Sequence, residues 1–160
     1  MESLSLKPWR RLALARWAPL PLRLIVGFGF MQHGYAKLSR GPDVFATILH
    51  ALAVPAPTLM AWLTILTEIL GGLAILVGAC VALFSVPMIA LLLVATFTVN
   101  LPFGFSSIKL VGVSAEGPQF GPPGYEVALL YIACLIAIVV GGPGPLAVDN
   151  VVGVQQGEQA

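Results

Sequence analysis

Long runs without a charged side chain dominate the chain. Positions 44–67, 69–108 and 127–148 contain no Asp, Glu, Lys or Arg. Apolar residues follow one another continuously in these runs, whereas the strands of a membrane barrel alternate apolar and polar positions. A helix needs about 20 mostly apolar residues to cross a hydrocarbon core about 30 Å thick. The pattern therefore predicts four membrane-spanning helices, over residues 19–38, 57–79, 82–101 and 125–141.

Composition puts these helices in a bilayer rather than in a soluble core. Hydrophobic residues make up 58% of the 160 residues and charged residues only 9%, whereas a soluble domain carries about 25% charged residues. So few charges cannot cover a water-exposed surface, and so apolar a chain is not disordered. A net charge of +1 offers no basic face to nucleic acid. The expected fold class is all-α, a polytopic four-helix bundle with the lipid bilayer as its first partner.

Basic residues determine the expected orientation. The segment 1–18 holds four of them, Lys7, Arg10, Arg11 and Arg16. The positive-inside rule then puts the N-terminus in the cytoplasm, and an even number of spans puts the C-terminus there too. The longer connections, 39–56 and 102–124, therefore face outward. We expect a basic cytoplasmic tail over 1–18, a membrane domain over 19–149 and a flexible tail over 150–160, with no cleaved signal peptide.

Six polar residues lie within or at the ends of the predicted helices: Arg23, His33, Lys37, Glu68, Asn100 and Glu126. Ionisable groups at membrane depth are costly, so they usually point into the bundle or into a cavity. Helical side chains lean toward the N-terminus of their helix. Helix 2 starts at the outer side of the membrane, so Glu68, near mid-membrane, leans outward, toward the level of His33 and Lys37. Asn100 closes helix 3 and Glu126 opens helix 4 at the same outer end. We predict one pocket, open to the outside, lined by all of these residues except Arg23: His33, Lys37, Glu68, Asn100 and Glu126.

Simpler interpretations exist for most of this set. Lys37, close to a helix end, can extend its charge to the interface, and Glu126 can complement the dipole of its own helix. His33 can form an ordinary hydrogen bond between helices. Glu68 is the hardest to explain in this way, because a carboxyl at that depth must be protonated or paired.

Four further assignments are structural. Gly71 and Gly72, one turn beyond Glu68, permit the close approach of a neighbouring helix. Arg23 lies one turn from the cytoplasmic end of helix 1, and Asp149 lies just beyond helix 4. We expect these two on the same side of the membrane, where an ion pair would dock the C-terminal segment on helix 1. The two cysteines lie far apart in apolar runs, which is not the spacing of a metal clip or a redox pair, so no metal site is predicted.

Four segments resemble motifs of the DoxX family. Residues 22–38 resemble its first helix, with Leu22-Arg23-Leu24, Gly27 and the run from His33 to Leu38. Residues 68–78, beginning EILGG, resemble its second-helix motif. Residues 124–126, GYE, and 142–149, GPGPLAVD, resemble its fourth helix and tail. The segments occur in the family order, but the last one has Ala147-Val148-Asp149 where many members have Ser-Leu-Asp.

The resemblance implies a four-helix protein of the inner (plasma) membrane. Some members of the family are subunits of thiosulfate:quinone oxidoreductases, and others are linked to oxidative-stress defence in membrane complexes. The expected function is therefore that of a quinone-associated redox subunit. Its expected partners are other membrane or redox subunits, or further copies of the same chain.

The predicted pocket suits that chemistry. A quinone needs an apolar slot for its tail and a few hydrogen-bonding groups for its head. His33 and Glu68 can carry protons, and Lys37 can polarise a quinone carbonyl or hold an anionic substrate such as thiosulfate. These three are the catalytic candidates, and Asn100 and Glu126 are the candidates for holding the quinone. The sequence has no histidine pair for haem in its helices, no iron–sulfur cysteine set and no nucleotide-binding GxGxxG, so electrons must come from a partner or a bound substrate.

Two alternatives stay open. A small proton-coupled transporter would use Glu68 and His33 as its relay. Four spans are few for that task and the halves show no inverted repeat, so a transporter would have to work as an oligomer. A non-enzymatic scaffold for other membrane proteins would explain the lack of a cofactor motif, but it gives Glu68 no task beyond packing.

Overall fold

Five helices and one β-hairpin form most of the chain that the computed structural model describes, residues 14–151. Their bounds are α1 Pro19–Arg40, α2 Pro42–Ala51, α3 Pro57–Val77, α4 Val81–Phe103, β1 Leu110–Ser114, β2 Gly117–Phe120 and α5 Glu126–Gly141. Most of the two predicted tails lies outside these residues. The chain is mainly helical, and α1, α3, α4 and α5 begin and end within two residues of the four predicted helices.

Two of these helices, α3 and α4, are long and apolar enough to cross a membrane. They have 21 and 23 residues, whereas α5 is equally apolar but has 16. α1 has 22 residues and carries Arg23, Lys37 and Arg40. Large apolar side chains are exposed on the outer faces of these helices, among them Leu24, Phe28, Leu83, Val86, Leu130 and Val140. An apolar surface of this extent is typical of contact with lipid.

Local chemistry explains where the helices begin and turn. Pro19, Pro42 and Pro57 each open a helix, where the missing N–H of proline costs least. α3 ends at Gly78, whose φ of +72° lies in the left-handed region that glycine adopts without strain. Only three residues separate α3 from α4, so the two helices form an antiparallel hairpin, as the sequence predicts.

Glycines set the crossing of α1 and α3. A Cβ atom added to Gly72 would lie 2.7 Å from the backbone oxygen of Gly27, and one added to Gly27 would lie 2.7 Å from the oxygen of Gly72. Gly71 packs on the opposite side, against Met88 of α4. The two glycines of α3 therefore let helices approach on both of its faces. A buried core of α1, α3, α4 and α5 residues surrounds this crossing: Val26, Phe30, Ile75, Met88, Leu135 and Ile138.

The two predicted outer connections contain structure of their own. Residues 39–56 include α2, which the charge-free pattern hides because its ten residues merge into a longer apolar run. Residues 102–124 include the antiparallel hairpin of β1 and β2, a small departure from the all-α expectation. At its exposed turn the Ser114 hydroxyl donates to Glu116 and so lowers the pKa of that carboxyl. The hairpin lies between α4 and α5 and contributes no residue to the cavities described below.

Candidate functional site

An ion pair joins α1 to α3. The Lys37 Nζ donates to both carboxylate oxygens of Glu68 at 2.6 Å. The two side chains are 24% and 11% exposed, so the pair is largely shielded. Among residues 14–151 no other ion pair lies within 4 Å. An ionisable pair inside a membrane helix bundle is rare and typically marks a site of function.

Irregular helical turns present two of the polar groups. Glu68 lies in a π-helical turn of α3, Thr67–Gly71. Asn100 ends a second π-helical turn in α4, Thr96–Asn100. Such turns are rare, and they are frequently found at functional sites. By helical rise Glu68 lies about 16 Å along α3 from Pro57, so the π turn occurs in the middle of the helix.

A cavity of about 330 Å³, the site cavity, opens beside the ion pair. Four of the five predicted pocket residues line it: His33, Lys37, Glu68 and Asn100. The rest of its wall is mainly apolar and includes residues of α4 and α5 such as Leu92, Ala95, Val127 and Ala128. A largely apolar cavity with a few convergent polar groups is the usual form of a small-molecule site.

A second cavity, the side cavity, adjoins the first. It has a volume of about 270 Å³ and extends between α2 and α4, with Ile48, Leu52 and Val94 in its wall. Six residues line both cavities: Phe30, Lys37, Glu68, Leu92, Ala95 and Asn100. The ion pair therefore lies where the site cavity and the more apolar side cavity meet.

Glu126 does not belong to this site, which corrects its predicted place in the pocket. Its Oε2 accepts a hydrogen bond from the Ser107 backbone N–H at 2.9 Å. Its own N–H donates to the Phe105 carbonyl at 3.0 Å. Glu126 opens α5 beside the segment that follows α4, so its carboxylate turns toward backbone donors of that segment rather than toward the cavity.

Tyr131 is a wall residue that sequence reasoning missed. Its ring stacks on Phe30, with ring centroids 5.7 Å apart, and both residues line the site cavity. The Tyr131 hydroxyl occupies the space where a side chain on Gly29 would lie. A tyrosine within an apolar helix is the signal that could have identified it, because a buried hydroxyl needs a polar partner.

Arg23 forms a separate cluster at the opposite end of α1. Its guanidinium has five N–H donors, and it donates to five backbone carbonyls: Ile75, Leu76, Pro143, Pro145 and Leu146. The side chain is 1% exposed. Arg23 therefore ties the end of α3 to the segment that follows α5.

Asp149 is close to this cluster, but it does not form the predicted ion pair. Its two carboxylate oxygens accept from the backbone N–H groups of Cys80 and Val81, at 2.7 and 3.1 Å. Free N–H groups at the start of a helix attract a carboxylate, and the start of α4 lies nearer to Asp149 than the Arg23 charge does. The sequence correctly predicts that both residues lie at one end of the bundle, and the docking of the segment relies on backbone partners instead.

Comparison with known proteins gives a match to a family model. The family model described as DoxX matches residues 18–101, which cover α1 to α3 and most of α4. The match includes His33, Lys37, Glu68 and Asn100, and it ends before Tyr131 and Asp149. No curated protein and no solved structure gives a significant match. A match over more than half of the chain identifies the family: this small integral membrane protein belongs to the DoxX family.

Proposed function

We propose that the chain crosses the plasma membrane four times, with α1, α3, α4 and α5 as its spans and both termini in the cytoplasm. The apolar outer faces of the helices support this arrangement, and so do the basic residues before α1. The 16 residues of α5 rise about 24 Å, a length that a bilayer accommodates by thinning locally. On this topology the site cavity lies in the outer half of the membrane.

We propose further that the protein is a quinone-associated redox subunit. The observation that carries the proposal is the Lys37–Glu68 pair in the wall of a mainly apolar cavity within the helix bundle. A quinone head group fits that donor set, because it offers two carbonyl oxygens and has no charge to balance. The side cavity, lined by apolar residues of α2 and α4, suits the hydrocarbon tail.

The polar residues have distinct tasks in this proposal. Lys37 would hold one carbonyl oxygen through an N–H that Glu68 does not use, and Asn100 or Tyr131 would hold the other. A bound quinone supplies an acceptor for two electrons and two protons. Glu68 can hold or release a proton at its carboxyl, with the Lys37 charge stabilising the ionised form. His33, at the exposed end of the cavity wall, can exchange protons with the outside.

Electrons would enter from another protein or from a bound substrate. In this proposal the chain provides the quinone site, and the electron donor is a partner subunit or a substrate bound beside the quinone. Partner subunits would contact the apolar outer faces within the membrane or the parts of the chain outside it.

Direct binding of a short-chain quinone tests the proposal. The purified protein in detergent is titrated with decylubiquinone by calorimetry, and saturable binding at one site per chain is expected. Lys37→Met should weaken the binding about tenfold, because a charge-assisted hydrogen bond is lost. Glu68 can take up a proton in that variant, so the fold should survive.

Lys109→Met is the matched control, since Lys109 lies before the hairpin and lines neither cavity. It should bind decylubiquinone like the wild type. Absence of saturable binding, or equal affinity in the Lys37→Met variant, would reject the quinone site. Co-purification of stoichiometric protein partners in mild detergent, without bound quinone, would then favour the scaffold.

A further inference from the structure

The elbow between α1 and α2 encloses a third cavity, the elbow cavity, of about 260 Å³. It lies between the last turns of α1 and the first turns of α2. Six residues make up most of its wall: His33, Lys37 and Arg40 from α1, and Val44, Phe45 and Ile48 from α2. The quinone proposal gives this cavity no task.

The α1 wall of the elbow cavity is basic. His33, Lys37 and Arg40 follow one another at helical spacing on one face, and no Asp or Glu lines the cavity. The Lys37 ammonium is paired with the Glu68 carboxylate. The Arg40 guanidinium has no carboxylate oxygen within 4 Å in the part of the chain that the structure describes. Basic residues at a helix C-terminus also complement the helix dipole, but that role requires no cavity in front of them.

The α2 wall is apolar. Val44 and Ile48, one turn apart, are 55% and 52% exposed. The Phe45 ring centroid lies 5.3 Å from the Lys37 Nζ, so an aromatic face covers the inner side of that ammonium. A small inorganic anion would use only the basic wall. An anion that carries a hydrocarbon chain would use both walls.

We propose that the elbow cavity binds an anionic phospholipid through its phosphate. Arg40 holds the phosphate oxygens, with the Lys37 charge beside them, and an acyl chain lies along Val44 toward the surrounding lipid. A tetrahedral oxyanion is the chemistry that the basic wall recognises, and free phosphate is the other source of it. The site does not depend on the binding of a quinone.

Native mass spectrometry of the full chain tests the proposal. The protein is reconstituted in nanodiscs of equimolar phosphatidylglycerol and phosphatidylcholine, released in the spectrometer, and scored for the lipid that stays bound. We expect phosphatidylglycerol to be retained in preference to phosphatidylcholine. Arg40→Gln should reduce that retention about fivefold, the effect of one basic residue on an anionic lipid. Arg16→Gln is the matched control, because Arg16 is exposed before α1, away from the elbow, and it should retain phosphatidylglycerol like the wild type.

Two further arms identify the source of the anion. Val44→Asn changes only the exposed apolar wall and should lower the retention of phosphatidylglycerol. Excess inorganic phosphate should fail to displace the lipid. Displacement by phosphate, together with an unaffected Val44→Asn variant, would overturn the lipid assignment in favour of a free oxyanion. Equal retention by the wild type and Arg40→Gln, or no preference for phosphatidylglycerol, would overturn the site itself.

Discussion

The Lys37 ammonium lies 2.6 Å from each carboxylate oxygen of Glu68. The two residues are 31 positions apart, on helices that run in opposite directions through the bundle. Gly34, one turn before Lys37, has room for no side chain, because Ile69 and Glu68 of α3 lie against it. The close packing of α1 on α3 thus brings the ammonium and the carboxylate together where both side chains are largely shielded from solvent.

Removal of the Glu68 charge separates function from folding. Glu68→Gln keeps the shape of the side chain but can neither balance the Lys37 charge nor carry a proton. We expect quinone-linked proton uptake to be lost, with a loss of unfolding free energy of about 1–3 kcal/mol for the unpaired group. Proton uptake in proteoliposomes that contain decylubiquinone and receive an added chemical reductant measures the first effect, and thermal unfolding in detergent measures the second.

Glu116→Gln serves as the control for this experiment. Glu116 is exposed at the hairpin turn, so the same substitution there should change neither quantity. The double variant Lys37→Met with Glu68→Leu should recover much of the stability lost in Glu68→Gln, because an apolar pair of similar volume replaces a desolvated ion pair at little cost. If Glu68→Gln keeps full proton uptake, the proposed role of Glu68 is wrong.

The sequence predicts which polar residues share a depth, but not how each one turns. The lean of helical side chains and the direction of each helix are enough to bring His33, Lys37, Glu68 and Asn100 to one level. They cannot predict the π-helical turns at Glu68 and Asn100, which depend on packing between helices. Nor can they show that the Glu126 carboxylate accepts from the backbone N–H of Ser107, because that contact depends on the path of the segment between α4 and β1.

Lysine should not replace Arg23 in linking the end of α3 to the segment after α5. Lysine has three donors on a flexible stem, whereas the arginine fork reaches five carbonyls at once. Arg23→Lys should therefore lower the free energy of unfolding by about 2 kcal/mol, since one buried and several partly buried carbonyls lose their donors. Thermal unfolding in detergent checks this. Arg16→Lys, an exposed change near the same end of α1, should be neutral, and equal stability of the two variants would contradict this role of Arg23.

The Arg23 cluster marks a second limit of the sequence. Ion-pair reasoning matches Arg23 with Asp149 because their charges are opposite and their segments end on one side. Backbone carbonyls and N–H groups carry no sequence signal, yet here carbonyls accept from Arg23 and N–H groups donate to Asp149. The helices themselves are predicted within two residues because each needs about 20 mostly apolar residues to cross a bilayer and because Pro19 and Pro57 open two of them, whereas α2 is hidden inside a longer apolar run.

The α1–α3 crossing should not tolerate a methyl group. A Cβ on Gly72 would lie 2.7 Å from the Gly27 oxygen and 2.9 Å from the Met31 nitrogen, and backbone atoms cannot move aside cheaply. Gly72→Ala should cost about 1–3 kcal/mol through overpacking. Gly141→Ala is the control, because nothing lies within 4 Å of that position and alanine is the better helix former. Unfolding midpoints in detergent compare the two, and a Gly72→Ala variant as stable as Gly141→Ala would refute the close crossing.

Native Cys80 provides a direct test of the proposed topology. Cys80 is exposed in the turn between α3 and α4, which lies on the cytoplasmic side if the N-terminus is inside. A membrane-impermeant maleimide added to intact spheroplasts should therefore leave Cys80 unlabelled and should label it after lysis.

In a Cys80→Ser background, Ala115→Cys at the exposed hairpin turn should show the opposite pattern, with full labelling before lysis. Cys134 lies inside α5 and is partly buried, so it should react slowly in both cases. Labelling of Cys80 in intact spheroplasts would invert the topology and would turn the opening of the site cavity toward the cytoplasm.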